Sequence, residues 1–173
     1  LEVTVTFIRD DRGKAVSILG INREITERKQ ADEALRERER LLRATFEQAA
    51  VGVVNAGLDG SFLRVNQRFC HMVGGSPEEL NGKNFNLVSH PGDVDICLKP
   101  LRDMLAGKRK TFVTVKQLLH KNGTVAWANL TFSLMQNASG EPEYVIVIVE
   151  DISERIVMAE EKEKLEAQLV QAQ

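Results

Sequence analysis

The chain has 173 residues, 43% of them hydrophobic and 28% charged, with 25 acidic and 23 basic side chains giving a formal net charge of −2. This is ordinary globular composition, enough for one core of about a hundred residues with helical extensions. No apolar run approaches the roughly twenty residues of a membrane span, no signal-peptide pattern opens the chain, and no lasting block of one sign favours nucleic acid.

In chain order, polar and apolar residues alternate from Val3 to Phe7, Asp10–Gly13 supplies turn chemistry, and Val16 to Asn22 is apolar again. The pattern predicts a β-hairpin, which is marginal alone in water and is expected to pack on the linker helix or on a second copy of the chain. From Thr26 to Ala50 there is no Gly or Pro and much Arg and Glu, which predicts a helix. Leu35, Leu42 and Ala49 recur every seven residues on it, a narrow seam suited to a partner helix.

A second hairpin follows, "VGVVNAG" and "SFLRVN" around the Asp59-Gly60 turn. Asn66 is placed to cap "QRFCHMV", and Ser76, Pro77 and Glu79 form a capping-box start for a short helix. "VDICLKPLRDMLAG" has helical apolar spacing, with Pro100 predicting a kink or break near Ile96–Pro100. Three strands then close the domain: Thr111–Leu119, Val125–Met135 and Tyr144–Glu150. The order implies an α+β domain, an antiparallel sheet with short helices on one face. "YVIVIVE" is apolar on both sides and belongs in the middle of that sheet.

At Asp151, Ile152, Ser153 and Arg155 the last strand becomes a helix, with Asp151 and Glu154 spaced for a capping box. Met158, Leu165 and Ala172 again fall seven apart. "EDISER" echoes the earlier "REITER". Gly13 and Gly140, Ile25 and Ile152, and Arg28 and Arg155 are each separated by 127 residues, and six of the 25 positions from Thr4 to Arg28 are identical to their counterparts from Thr131 to Arg155. Self-similarity at one spacing this long reads as the end of one domain followed by a whole second copy. The expected layout is residues 1–25, a terminal hairpin; 26–50, a linker helix; 51–152, a complete domain; and 153–173, a coiled-coil helix.

With "DGSFLRVN", "GGSPEELNGKN", "HPGDV", "HKNGTVAW" and "EDISER" in this order, residues 51–155 resemble a PAS domain with its C-terminal PAC motif, and residues 1–28 resemble the end of a preceding one. The resemblance implies a five-stranded sheet in the order 2-1-5-4-3 and a pocket between sheet and short helices. It also implies a sensory box in a cytoplasmic two-component system of bacterial type, whose parent chain could be membrane-anchored. The tail "EKEKLEAQLVQAQ" is similar to the segment that leads into the phosphoacceptor helix of a histidine kinase, which would lie beyond Gln173.

For the pocket, the candidate lining residues are Phe69, Met72, Phe85, Cys97, Leu101 and Met104, each also explicable as ordinary core. The pocket helix carries no histidine to bind haem, and Cys70 is misplaced for a photoreactive flavin adduct, so both cofactors are disfavoured against the family pattern. His71, His90 and His120 share no metal-ligand spacing, and Cys70 and Cys97 read as small core residues unless a stabilised thiolate makes Cys97 a redox reporter. Trp127 is expected on a strand face or under the flanking helix. With no nucleophile–base set or phosphate loop, the chain reads as non-catalytic. The leading expectation is a homodimeric module that relays the binding of a small molecule or a partner through Asp151, Ile152, Ser153 and Arg155 to a downstream histidine kinase. A ligand-free dimerising relay, a flavin redox sensor and a module serving another output such as a diguanylate cyclase stay open.

Overall fold

A computed structural model of the chain describes residues 2–23 and 26–171. It divides into two compact units, Leu1–Ala44 and Thr45–Gln173. The first contains strands β1 (Glu2–Arg9) and β2 (Ala15–Arg23) and most of helix α1 (Thr26–Glu47).

The second unit continues with β3 (Gly52–Ala56), β4 (Phe62–Val65), α2 (Gln67–Val73) and α3 (Pro77–Leu80). Two 3₁₀ turns, Phe85–Val88 and Pro91–Cys97, precede α4 (Leu98–Leu105). Strands β5 (Thr111–Leu119), β6 (Val125–Gln136) and β7 (Pro142–Asp151) follow, and α5 (Ser153–Gln171) leaves the sheet. The five strands are antiparallel in the order β4-β3-β7-β6-β5, the expected 2-1-5-4-3, with the doubly apolar strand central.

The 127-residue echo extends to hydrogen bonds. In β1–β2, Thr4 faces Ile21, Ile8 faces Ser17, and the register slips between Ile8 and Arg9. In β6–β7, Thr131 faces Ile148, Met135 faces Tyr144, and the register slips between Met135 and Gln136. Asp10 Oδ1 accepts from the amides of Arg12 and Lys14, as Asn137 Oδ1 accepts from those of Ser139 and Glu141. Gly13 and Gly140 both take φ near +80° (78° and 82°), the left-handed region that only glycine occupies cheaply. The first hairpin is therefore built as a copy of the last two strands of the complete sheet. Glu24 and Ile25, within the first copy of the echoed motif, lie outside the described residues, as does Ala172 of the second seam.

Helix α1 ends at Glu47, short of the expected Ala50, so Ala49 falls outside it and the seam keeps only Leu35 and Leu42. At this end of the helix stands Asn66, which is fully buried. Its Nδ2 donates to the carbonyls of Phe46 (2.9 Å) and Val51 (3.0 Å), while Oδ1 accepts from the amides of Val53 and Phe69. All four hydrogen-bonding positions of the amide are filled, and one of the carbonyls orphaned at the end of α1 is satisfied. Arg64 reinforces the junction, its guanidinium 3.8 Å from the Phe46 ring centre and 3.4 Å from Glu47.

The local signals hold at α2, capped by Asn66, and at α3, where the Ser76–Glu79 box is complete. Of the kink or break expected near Ile96–Pro100, the chain shows the break, between Cys97 and Leu98. Residues 91–97 are 3₁₀ and the α-helix begins only at Leu98, which places Pro100 in its first turn, where the missing amide costs no helical bond. Ile96 consequently lies on the 3₁₀ turn and is 40% exposed.

Candidate functional site

Between the sheet and the short helices lies a cavity of about 60 Å³. Its walls are Val54, Phe62 and Phe69 at one end, Val145, Val147, Val149 and Leu130 along the sheet, and Phe85, Val88, Cys97 and Leu101 on the helical side. Gly60 (φ +81°) closes the β3–β4 turn directly against Phe85, where a Cβ would stand 2.8 Å from the ring. Four expected lining residues, Phe69, Phe85, Cys97 and Leu101, do line the cavity. Met72 and Met104 do not: Met72 packs in the main core, and Met104 is wholly buried with Cys97 and Phe112 in a second cluster. Both are core residues, and apolar spacing alone does not separate core from pocket lining.

The residue missed by the sequence reading is Lys116, 3% exposed and lining the same cavity. Strand alternation contains the signal, since Phe112, Thr114, Lys116 and Leu118 share one side of β5, and Phe112 and Leu118 are buried. Lys116 Nζ donates to Ser89 Oγ at 2.7 Å and stands 5.0 Å from the centre of the Phe85 ring. Ser89 in turn donates to the Phe85 carbonyl, which leaves its oxygen lone pair facing the ammonium. Burial pulls Lys116 below the ordinary lysine value of 10.5, with Cys97 and Asp93 acting in the opposite sense.

Burial likewise raises the Cys97 thiol, against the pull of Lys116, and raises that of Cys70, so neither position stabilises a thiolate. The redox-reporter expectation for Cys97 thus lacks its chemical requirement. His90 and His120 accept local backbone amides through Nδ1, and His71 pairs with Gln67. Among the described residues no cluster of histidine, cysteine and acidic side chains could hold a metal ion. Nor is any described helix long and apolar enough to cross a membrane.

A second feature is the joint between β7 and α5. Ile152 N donates to the Trp127 carbonyl, and Trp127 N donates to Ser153 Oγ, both at 2.9 Å. Both main-chain groups of Trp127 are thus tied to Ile152 and Ser153, the residue before the helix and its first residue, extending the β6–β7 ladder through the junction. Asp151 Oδ1 accepts from Ser153 N at 2.9 Å, and Ile156 N returns to Ile152 O. This short Asx-type contact takes the Asp151 carboxylate two residues on and replaces the expected Asp151–Glu154 capping box. Arg155 reaches Glu150 at 3.5 Å on the exposed surface. The indole of Trp127 is 38% exposed, and it is the backbone, not the ring, that engages the helix. Of the expected seam residues, Leu35, Leu42, Met158 and Leu165 are each 57–63% exposed.

A family profile described as PAS fold matches residues 46–157. Among curated proteins, the chain is 34% identical over 118 residues to the probable diguanylate cyclase DgcE of Escherichia coli (strain K12), covering 68% of this chain and 11% of that protein. It is 27% identical over 142 residues to the sensor histidine kinase TmoS of Ectopseudomonas mendocina, covering 82% of this chain and 15% of that protein. The chain therefore spans only a small part of the curated relatives it matches. Among solved structures, the PAS domain of a protein from Colwellia psychrerythraea superposes with a TM-score of 0.61 at 19% identity, covering 70% of this chain and 98% of that one.

Proposed function

Because the chain belongs to the PAS fold family, we propose that it senses an occupant of the cavity and relays the change through the Trp127–Ser153 joint to α5, and from there to a histidine kinase in the parent protein. The single observation that carries the reading is the joint. Hydrogen bonds from both main-chain groups of Trp127 make the start of α5 an extension of the sheet that walls the cavity. A shift of that sheet tilts the helix instead of being lost in a slack linker. An occupant biases the output only to the extent that it binds the two arrangements unequally.

We further propose that α5 pairs with a second copy. A solitary exposed helix is marginal in water, and Val157, Met158, Leu165 and Leu169 of α5 are all more than half exposed. We assign the seam of Met158 and Leu165 to a homodimer contact. A cytoplasmic location accords with a kinase output.

A second output is favoured by one specific observation, the 34% identity to a probable diguanylate cyclase. Assay of the parent protein separates the two. A kinase output predicts autophosphorylation from ATP that changes when the cavity is filled, with no cyclic dinucleotide formed from GTP. Cyclic dinucleotide synthesis without autophosphorylation would replace the kinase by the cyclase and leave the relay intact.

A further inference from the structure

We propose that the cavity binds a short-chain monocarboxylate, its anionic end held by Lys116 and its hydrocarbon end lying against the apolar wall. This rests on the sensing reading above and specifies what is sensed. Three observations converge on it.

Lys116 is a buried amine with three potential donors, of which one is used, on Ser89 Oγ. No carboxylate among the described residues comes within ion-pair distance of it. Asp93 acts on it only from beyond that distance, with its Oδ2 accepting from the Gln117 amide at 2.6 Å. A buried ammonium without a counter-ion is costly, and a methionine would fill the same space without that cost. A ligand anion supplies the missing charge.

The remaining wall is hydrocarbon and aromatic, with the Cys97 thiol as its other polar group. A second carboxylate or a phosphate would be left with unpaired charge against valine and phenylalanine, so a single anionic end and an apolar body fit best. Size narrows the choice. At roughly 10–15 Å³ for each water-sized position, the cavity of about 60 Å³ accommodates about four to six non-hydrogen atoms, the range from acetate to butyrate.

Calorimetric titration of the purified chain with acetate, propionate and butyrate, alongside the matching primary amides and succinate, tests this. The monocarboxylates are expected to bind at least about tenfold more tightly than their amides, a difference worth one charge-assisted hydrogen bond. Succinate is expected not to bind. Lys116→Met should abolish the preference for the anion while keeping a cooperative unfolding transition. A readout that needs no variant is the methyl NMR signals of Leu130, Val145 and Val147, which should shift with butyrate and far less with butyramide.

Equal binding of acids and amides, unchanged butyrate affinity in Lys116→Met, or silent methyl signals throughout the acid series would each overturn the proposal. These failures differ from failure of the relay. A neutral compound that fills the cavity and moves α5 would refute the anion anchor and preserve sensing, whereas a carboxylate that binds through Lys116 without moving α5 would do the reverse.

Discussion

Lys116 gives the cavity its chemical character, and its cost to the empty protein is measurable. Burial lowers its proton affinity, with Cys97 and Asp93 partly opposing. Between that lowered value and the ordinary 10.5 the unfolded chain holds the extra proton, so the folded state gains stability as pH rises through the window. Below the window the penalty for burying the charge is present in full. Lys116→Met should therefore stabilise the ligand-free protein near pH 7 by about 1 kcal/mol or more, with the margin shrinking toward pH 10.5. Urea midpoints of both proteins at neutral and alkaline pH check this; a less stable methionine variant at neutral pH, or a margin that ignores pH, would show that Lys116 carries no desolvation penalty. The residue was readable in principle from the two-residue period of "TFVTVKQLL", but its charge disguised a core position. Asn66 was readable only in part. Its cap on α2 follows from local sequence, whereas its bonds to Phe46 and Val51 depend on a return of the chain that no local signal specifies.

Elements defined by their own residues were legible: the extent of α2 and β5, the Ser76–Glu79 box of α3 and the central place of β7 all follow from caps, turns and alternation. Elements whose ends are set by a distant partner were not. α1 stops where Asn66 takes its carbonyl, and Ala49 drops out of the seam. The start of α5 forms no Asp151–Glu154 box because the Asp151 carboxylate accepts from the Ser153 amide instead, while the Ser153 hydroxyl goes to Trp127 N of the neighbouring strand. The exposed Met158 and Leu165 of α5 lead to a prediction at this scale. Sedimentation equilibrium should show a concentration-dependent dimer for the wild-type chain, and Leu165→Asp should weaken it by about tenfold or more, since a charge in a helical seam must be desolvated against leucine. A wild-type chain that stays monomeric at high concentration contradicts the seam.

For the whole molecule, the equal register, bulge and turn of β1–β2 and β6–β7 show one design used twice, with a helix starting at Thr26 after the first hairpin and at Ser153 after the second. α1 ends at the Asn66 junction, where the Phe46 carbonyl accepts from Asn66 Nδ2. The repeat was legible because its spacing needs no gap; the cavity was less so, because its walls come from elements far apart in the chain. Relay to α5 depends on stiffness at the second joint. Spin labels at Glu143 and Lys164, both exposed, on chains diluted with unlabelled protein, measure it directly by pulsed electron resonance. A single narrow distance distribution is expected, shifting when the cavity is filled and broadening in Ser153→Ala. A broad distribution in the wild-type chain, indifferent to occupancy and to that substitution, would contradict the account.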